Sequence, residues 1–409
     1  MPRRPCAPAR ERPIPAGAGP ARGRRPPISP CLGSLFDAPR LGPSDPPPAP
    51  LAGRRSRSGS RVRAPFRIGE RAVAPGRRAV VDLPIAMLSN HTPVVLSVLV
   101  IHGRRPGPTV FVSAALHGDE VLGVEVIRRL VRMEALEDLG GTLLAVPVVN
   151  AFGFLSLSRY LPDRRDLNRS FPGRPDGSLA ARLADLFMRE VVRRSDLGID
   201  LHTGAVHRTN LPQLRVADAR ASSEARAEAF APPVILRGAP PEGSLRAAAQ
   251  AAGCPVLVYE AGEALRFDEI GVRVGLRGCL RVLAHEGMID AGAVPPADGP
   301  GPVWLERSAW ARAPQGGVVR NLVALGDTVR EGEALAVVGD PFGQSEEPIP
   351  APVTGVVIGR SELSTANRGD ALFNVAMARN RAEVRAAIEV IEEEMDGPLL
   401  AAPPLGEEG

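Results

Sequence analysis

The amino-acid sequence predicts an α/β fold in the middle of the chain and a smaller all-β region after it. Two apolar stretches, residues 109–116 and 142–149, have the length and composition of buried strands. Between them, residues 121–136 place apolar side chains at helical spacing with charged residues in between. Strands that alternate with amphipathic helices are typical of a sheet covered by helices on both faces.

The other elements follow the same alternation along the chain. We expect further strands at residues 79–83, 93–102, 197–201 and 255–259, and helices at residues 179–194 and 244–252. Beyond a cluster of Pro, Gly and Asp, short β-type runs separated by turn sequences lie at residues 317–322, 334–338, 355–359 and 371–375, before a helix at residues 379–395. The predicted domains are therefore an α/β domain over residues 66–300, a small β domain over residues 301–377, and a C-terminal helix and tail over residues 378–409.

Residues 1–65 differ in composition from the rest of the chain. Residues 1–64 carry 13 arginines against three acids and 15 of the 43 prolines, so we expect a disordered tail or a start codon assigned too far upstream. This segment has a charge of +10, and since the whole chain has +4, the remainder has 4 − 10 = −6. Because Phe36 is its only aromatic residue, we expect no nucleic-acid partner.

Every basic residue other than histidine is arginine, and the chain contains no lysine. This excludes a Schiff-base lysine, a P-loop lysine and a biotinylated or lipoylated lysine. The pattern GDTVREGEALAVVGD followed by PAPVTGVV resembles the barrel-sandwich fold of biotinyl and lipoyl carriers. Without an attachment lysine, the carrier function is excluded while the fold remains expected.

The four cysteines show neither metal-site nor disulfide-framework spacing, which favours a reducing compartment. No apolar run approaches the roughly 20 residues of a membrane helix, and no signal-peptide pattern follows the basic N-terminus. We therefore expect a cytoplasmic protein without a membrane partner.

Four polar residues follow predicted strands. His117 and Glu120 come after the strand at residues 109–116, His202 follows residues 197–201, and Glu260 follows residues 255–259. Open α/β sheets place their sites at the carboxyl ends of strands, so these side chains should converge. Two imidazoles and a carboxylate make a zinc site with an open position, where a bound water of lowered pKa could lose its proton to Glu260.

A loop dense in arginine, residues 158–173, lies between these motifs. Such loops bind anions. Arg164 and Arg165 stand side by side and cannot easily both point inward, so surface solvation is the alternative for them.

The motifs HGDE, DLNRSFPG, DLHTG and YEAG, in this order, resemble the succinylglutamate desuccinylase/aspartoacylase family, which is related to the zinc carboxypeptidases. The resemblance covers about residues 66–376 and implies a zinc-carboxypeptidase-like mixed sheet. It implies one zinc ion per chain, held by His117, Glu120 and His202. It further implies Glu260 as general base and proton donor, Arg159 as the group facing the oxyanion, and Asn168 and Arg169 as ligands of a substrate carboxylate.

The residues leave three assignments open. The interval between Arg159 and the DLNR motif is about two residues longer than in aspartoacylase-type sequences, so Arg164 is the alternative to Arg159. Glu263 is the alternative to Glu260 as base. Arg215, together with Asn210, lines the substrate pocket or belongs to a structural loop, and His207 is expected in a loop.

The resemblance implies hydrolysis of the amide bond in a small N-acyl amino acid or a related compound. The alternatives are a carboxypeptidase-like metallopeptidase and a non-catalytic binding protein on the same fold. The sequence leaves open the acyl group, the amine and the oligomeric state.

Overall fold

A computed structural model describes residues 63–217, 221–294, 296–297 and 299–396, without the side chains of residues 221, 222 and 391–396. The tail predicted at residues 1–65 lies outside this part of the chain except for its last three residues. The end of the C-terminal tail, residues 397–409, also lies outside it.

Strands dominate the described residues. They are β1 (Phe66–Ile68), β2 (Arg71–Val73), β3 (Arg77–Met87), β4 (Pro93–His102), β5 (Arg105–Ala114), β6 (Gly140–Val146), β7 (Leu197–Gly204), β8 (Arg208–Val216), β9 (Val234–Arg237), β10 (Val256–Glu263), β11 (Val303–Leu305), β12 (Ser308–Arg312), β13 (Gly317–Asn321), β14 (Thr328–Val329), β15 (Ala334–Gly339), β16 (Glu346–Pro350), β17 (Gly355–Ser361), β18 (Thr365–Ala366) and β19 (Ala371–Met377).

The α-helices of the same residues are α1 (Leu122–Leu130), α2 (Ala151–Leu155), α3 (Leu179–Glu190), α4 (Ala221–Phe230), α5 (Leu245–Ala251), α6 (Glu269–His285) and α7 (Arg381–Asp396). None of the helices in this part of the chain is both long and apolar enough to cross a membrane.

One large mixed sheet organises the fold. Its main path runs β12-β19-β17-β8-β10-β7-β5-β6-β4-β3. The centre is parallel, because β10 pairs with β7, β7 with β5, and β5 with β6 in the same direction. The strands on either side of this centre, β8 and β4, run antiparallel to it. The carboxyl ends of β5, β7 and β10 therefore meet at one edge.

Two apolar cores cover the two faces of the sheet. Along β5, Val110, Val112 and Ala114 belong to the core under α1, α4 and α6, whereas Phe111 belongs to the core under α3 and α5. This alternation follows from the two-residue period of a strand. The predicted α/β sheet with helices on both faces is confirmed.

The C-terminal strand-rich region is also confirmed, and its strands continue the large sheet. Strand β17 pairs antiparallel with β8, and β11 pairs parallel with β9. A separate four-stranded sheet has the order β16-β15-β13-β18. The region after residue 300 is thus bonded through its backbone to the strands that carry the site. The exact domain boundary stays a prediction.

Several elements were absent from the sequence prediction. Helix α6 contains three glycines, and such residues lower helix propensity. Tertiary packing explains them, since a Cβ at Gly278 would lie 2.2 Å from the ring of Phe230. Strand β8 was also missed, which places Asn210 and Arg215 on a strand, whereas His207 lies in the turn before it as expected.

Candidate active site

Three parallel strands bring the predicted residues to one edge of the sheet. His117 lies three residues beyond the end of β5, and Glu120 follows before α1 begins. His202 on β7 pairs in register with Glu260 on β10. Both strands continue past these residues, to Gly204 and Glu263, so the prediction that His202 and Glu260 follow their strands was wrong.

His117, Glu120 and His202 form a compact group that fits a metal ion. Each offers one donor atom, and these atoms lie within 4.8 Å of one another. Both imidazoles turn Nδ1 toward Glu120, at 2.7 Å from Oε1 for His117 and 2.7 Å from Oε2 for His202. All three residues are buried. Two imidazoles and one carboxylate are the donors of many catalytic zinc sites.

A second carboxylate lies behind each imidazole. Nε2 of His202 is 2.7 Å from Oδ2 of the buried Asp200, whose Oδ1 accepts a hydrogen bond from the Ser113 hydroxyl at 2.7 Å. Nε2 of His117 is 3.1 Å from Oδ1 of Asp166. Carboxylates in this position orient an imidazole and fix which nitrogen is free for a metal. The geometry leaves Nδ1 of both rings for that purpose.

The charges of this group are strongly coupled. Burial works against the charged form of His117, but Glu120 and Asp166 outweigh it and raise the pKa of the imidazole. Burial likewise opposes a charge on His202, yet Asp200 and Glu120 raise its pKa well above the ordinary value. Burial alone would raise the pKa of Glu120, but the two imidazoles hold it far below its usual range. A cation would replace the protons that these rings share with Glu120.

The group opens into a cleft of about 290 Å³. Glu260 lines this cleft, with Oε2 accepting a hydrogen bond from Nδ2 of Asn210 at 2.8 Å and Oε1 lying 3.4 Å from Nε of Arg215. Glu263 does not line it, since its Oε1 accepts the backbone N–H of His207 at 2.9 Å. The geometry therefore favours Glu260 over Glu263 as a group that acts in the cleft.

Arg159 reaches the cleft, whereas Arg164 does not. Nη1 of Arg159 lies 3.3 Å from Oε1 of Glu120, and its Nη2 donates to Oδ2 of Asp166 at 3.0 Å. Arg164 is exposed and outside the cleft lining. Of the two arginines left open by the sequence, only Arg159 therefore lines the cleft beside the metal group.

Asn168 and Arg169 also line the cleft. The Asn168 side chain accepts the backbone N–H of Leu245 through Oδ1 at 2.9 Å, and Nη1 of the exposed Arg169 donates to the carbonyl of Asn168 at 2.7 Å. Both side chains thus keep donors available for a ligand, although Asn168 also serves to anchor α5.

Arg246 on α5 is a cleft residue that sequence reasoning missed. It is only 8% exposed, and its Nη1 has no hydrogen-bond partner. No ion pair joins it to any carboxylate among the described residues. Burial, followed by repulsion from Arg215, lowers the pKa of its guanidinium to about 10, although Glu260 acts in the opposite direction. A buried cation without a counterion is costly, and an anion bound in the cleft would relieve this cost.

Other contributions to the cleft come from distant segments. Trp310 on β12 and Asn374 on β19 line it from the C-terminal region, with Arg208 packed over the Trp310 ring at 4.9 Å. Asp200 could have been found in the sequence, since a charged residue two positions from His202 in an apolar strand shares its face. Arg246 carries no such signal, because nothing local distinguishes it from a surface arginine of a helix.

Comparison with known proteins connects this site to a family. A family model described as the succinylglutamate desuccinylase/aspartoacylase catalytic domain matches residues 106–286. The N-α-acetyl-L-2,4-diaminobutyric acid deacetylase of Halomonas elongata is 28% identical over 307 residues, which cover 72% of this chain and 89% of the deacetylase.

Two solved structures are similar over most of their length. The product-bound ectoine utilization protein EutE (DoeB) from Ruegeria pomeroyi is 26% identical, with a TM-score of 0.66 over 74% of this chain and 95% of that chain. A succinylglutamate desuccinylase/aspartoacylase from Rhodobacter sphaeroides is 27% identical, with a TM-score of 0.66 over 73% of this chain and 95% of that chain. Residues 106–286 of this chain therefore belong to the succinylglutamate desuccinylase/aspartoacylase family.

Proposed function

We propose that this protein is a zinc-dependent amidohydrolase that removes the acyl group from a small N-acyl amino acid. The observation that carries the proposal is the convergence of a three-residue metal group, Glu260 and Arg159 on one cleft. The cleft volume of about 290 Å³ suits a small molecule.

One zinc ion per chain would be held by His117, Glu120 and His202. When bound, zinc acts as a Lewis acid on the scissile carbonyl and lowers the pKa of the attacking water. Asp166 and Asp200 keep the two imidazoles oriented for this role.

Glu260 is the proposed general base. Its carboxylate takes a proton from the attacking water and later delivers it to the nitrogen of the leaving amine. Glu260 is partly exposed to the cleft, which keeps it accessible to a substrate. The amide bond is broken when this nitrogen leaves as a free amine, and the acyl group leaves as a carboxylate.

Arg159 is the proposed oxyanion ligand. Its guanidinium is tied on one side to Asp166, which keeps Nη1 directed toward Glu120 and the metal group. A preoriented cation at this point stabilises the negative charge that develops on the carbonyl oxygen.

The substrate carboxylate would bind to arginines of the cleft. Arg246 is buried without a counterion, Arg215 lies beside it, and Asn168 and Arg169 face the same space. An amino-acid carboxylate would supply the negative counterion that the Arg246 guanidinium lacks. The Halomonas elongata relative is a deacetylase of such a compound, which supports an N-acyl amino acid as substrate.

A cytoplasmic location is part of the proposal. Cys254 and Cys279 are buried free thiols, and burial raises the pKa of each to about 12. They are therefore inert structural residues, which fits a reducing compartment.

The test is a hydrolysis screen of the zinc-loaded protein against N-acetyl, N-succinyl and N-formyl amino acids, including N-α-acetyl-2,4-diaminobutyric acid, with blocked peptides as comparison. We expect turnover of at least one N-acyl amino acid and a zinc content near one per chain. Glu260→Gln should abolish turnover while zinc stays bound. Full activity of Glu260→Gln, or faster cleavage of peptides than of N-acyl amino acids, would overturn the assignment.

A further inference from the structure

The carboxylate of Glu260 is restrained by two residues of the neighbouring strand. Nδ2 of Asn210 donates to Oε2 at 2.8 Å, and Nε of Arg215 lies 3.4 Å from Oε1. The second contact supplies charge but little direction, because Nε of Arg215 makes no hydrogen bond in the described residues. The directional restraint on the carboxylate therefore comes from Asn210.

An irregularity of β8 creates this arrangement. Glu260 pairs with Gln213, but Gly262 pairs with Asn210, so three steps along β8 correspond to two along β10. In a regular strand, residues five positions apart point to opposite faces. The additional residue in β8 instead brings both Asn210 and Arg215 to the Glu260 carboxylate.

The C-terminal region supports Asn210 from the other side. Gly359 on β17 pairs in register with Asn210. A Cβ added at Gly359 would lie 3.0 Å from Oδ1 of Asn210, which is closer than most such contacts. The side-chain amide of Asn210 therefore lies beside Gly359, and it fits there because glycine has no side chain.

We propose that Asn210 is a positioning residue for Glu260. We further propose that the C-terminal region contributes to catalysis, because Gly359 has no side chain and so leaves space for the side-chain amide of Asn210. The inference rests on the proposed role of Glu260 as base. A glutamate side chain has three rotatable bonds, and the Asn210 hydrogen bond selects the conformers that direct the carboxylate into the cleft. An ionised carboxylate only accepts hydrogen bonds, so the NH₂ side of Asn210 must face it.

The first experiment compares Asn210→Ala and Asn210→Asp in the zinc-loaded full chain. Loss of a hydrogen bond to a charged group should lower kcat by roughly 10- to 100-fold in Asn210→Ala, with KM within about threefold of wild type. Asn210→Asp should be slower still, because an isosteric acceptor of like charge repels Glu260. A packing function predicts the opposite order, since Asp preserves the shape of Asn. Thr209→Ala is the matched control, because Thr209 precedes Asn210 on β8 without lining the cleft.

The second experiment tests the contribution of Gly359. Gly359→Ala should lower kcat in the wild-type background and have little further effect in the Asn210→Ala background. If the two substitutions lowered kcat additively, they would not both act through the side-chain amide of Asn210, which would contradict the proposal. If Asn210→Ala does not fold, Gly359→Ala alone tests the proposal, because it displaces the side-chain amide of Asn210 without removing it. An unchanged kcat of Gly359→Ala would then refute the proposal.

Crystal structures of the wild type and Asn210→Ala provide a readout that does not need turnover. We expect the Glu260 carboxylate to adopt other rotamers in the variant while the metal group keeps its geometry. An unmoved, well-ordered carboxylate would overturn the positioning function of Asn210. Inactivity of the wild type on every substrate would instead contradict the proposed hydrolysis, and the crystallographic comparison would still decide the inference.

Discussion

Replacing Arg246 with methionine should stabilise the protein without substrate and weaken the binding of substrate. Arg246 is 8% exposed, and its Nη1 has no hydrogen-bond partner. Methionine has a similar length and no charge, so it fills much of the same space while removing the buried cation. The two effects have opposite signs, which separates a ligand-binding arginine from a structural one.

The size of the stabilisation follows from the pKa of Arg246. Burial, followed by repulsion from Arg215, lowers it from 12.5 to about 10. Because one pKa unit corresponds to about 1.4 kcal/mol, keeping Arg246 charged destabilises the folded state by about 3 kcal/mol. This cost is present in full at neutral pH, where Arg246 is charged in both states, and it is relieved only as the pH rises through about 10.

We therefore expect Arg246→Met to raise the free energy of unfolding by about 1 to 3 kcal/mol at pH 7, after allowance for lost side-chain packing. Urea unfolding of the metal-loaded protein without substrate measures this change. KM for an N-acyl amino acid should rise by roughly 10-fold or more, because a charge-assisted contact to the carboxylate is lost.

Arg307→Met is the control, because Arg307 is exposed and outside the cleft lining. It should change the free energy of unfolding by less than about 0.5 kcal/mol and leave KM unchanged. If Arg246→Met destabilises the unliganded protein, or if it leaves KM at the wild-type value, Arg246 does not bind the substrate carboxylate and the assignment is refuted.

Three further predictions concern the groups around the metal site. Asp200→Asn should weaken zinc binding by about 10- to 100-fold in a chelator competition, because the carboxylate that orients His202 loses its charge. Glu263→Gln should keep kcat within about twofold of wild type in a steady-state assay, because Glu263 is bonded to a backbone N–H outside the cleft. Arg159→Ala should lower kcat by about 100- to 1,000-fold, whereas Arg164→Ala should leave it unchanged.

Each of these predictions has an outcome that contradicts it. For the metal site, Asp196→Asn is the control, since among the described residues the Asp196 side chain accepts a hydrogen bond only from the backbone N–H of Thr109, at 2.8 Å. Equal zinc affinities of the two variants would show that Asp200 has no effect. A large loss of kcat in Glu263→Gln would indicate that Glu263, and not Glu260, is the general base. A larger loss of kcat in the Arg164 variant than in the Arg159 variant would reverse the oxyanion assignment.

The regular elements were predictable where local pattern and tertiary packing agree. Strand β4 matches its expected range, and β5 and α3 overlap theirs, because a buried strand or an amphipathic helix shows its period in the sequence. Helix α6 was missed because its glycines are explained only by tertiary packing, as at Gly278, which lies against the ring of Phe230 on α4. Strand β8 was missed because its bulge and Pro212 interrupt the alternation that identifies a strand.

The candidate metal group was predictable for a related reason. His117, Glu120 and His202 stand near the ends of apolar strands, and parallel strands bring such positions to one edge. Asp166 and Asp200, the carboxylates behind the imidazoles, lie within the DLNRSFPG and DLHTG motifs. Asp200 shares a strand and a face with His202 and is therefore detectable in the sequence, whereas Asp166 reaches His117 only through the tertiary structure.

The sequence by itself determined the α/β alternation, the chemical identity of the candidate metal ligands and the exclusion of lysine chemistry, since these depend only on residue type and spacing. The tertiary structure decided which of two arginines and which of two glutamates reach the cleft, and it added Arg246 and the contact of Asn210 with Glu260. The physical reason is that a loop or a bulge can reverse the direction of a side chain within one residue. Spacing along the chain therefore predicts where a strand ends, but not which neighbouring polar group turns into the site.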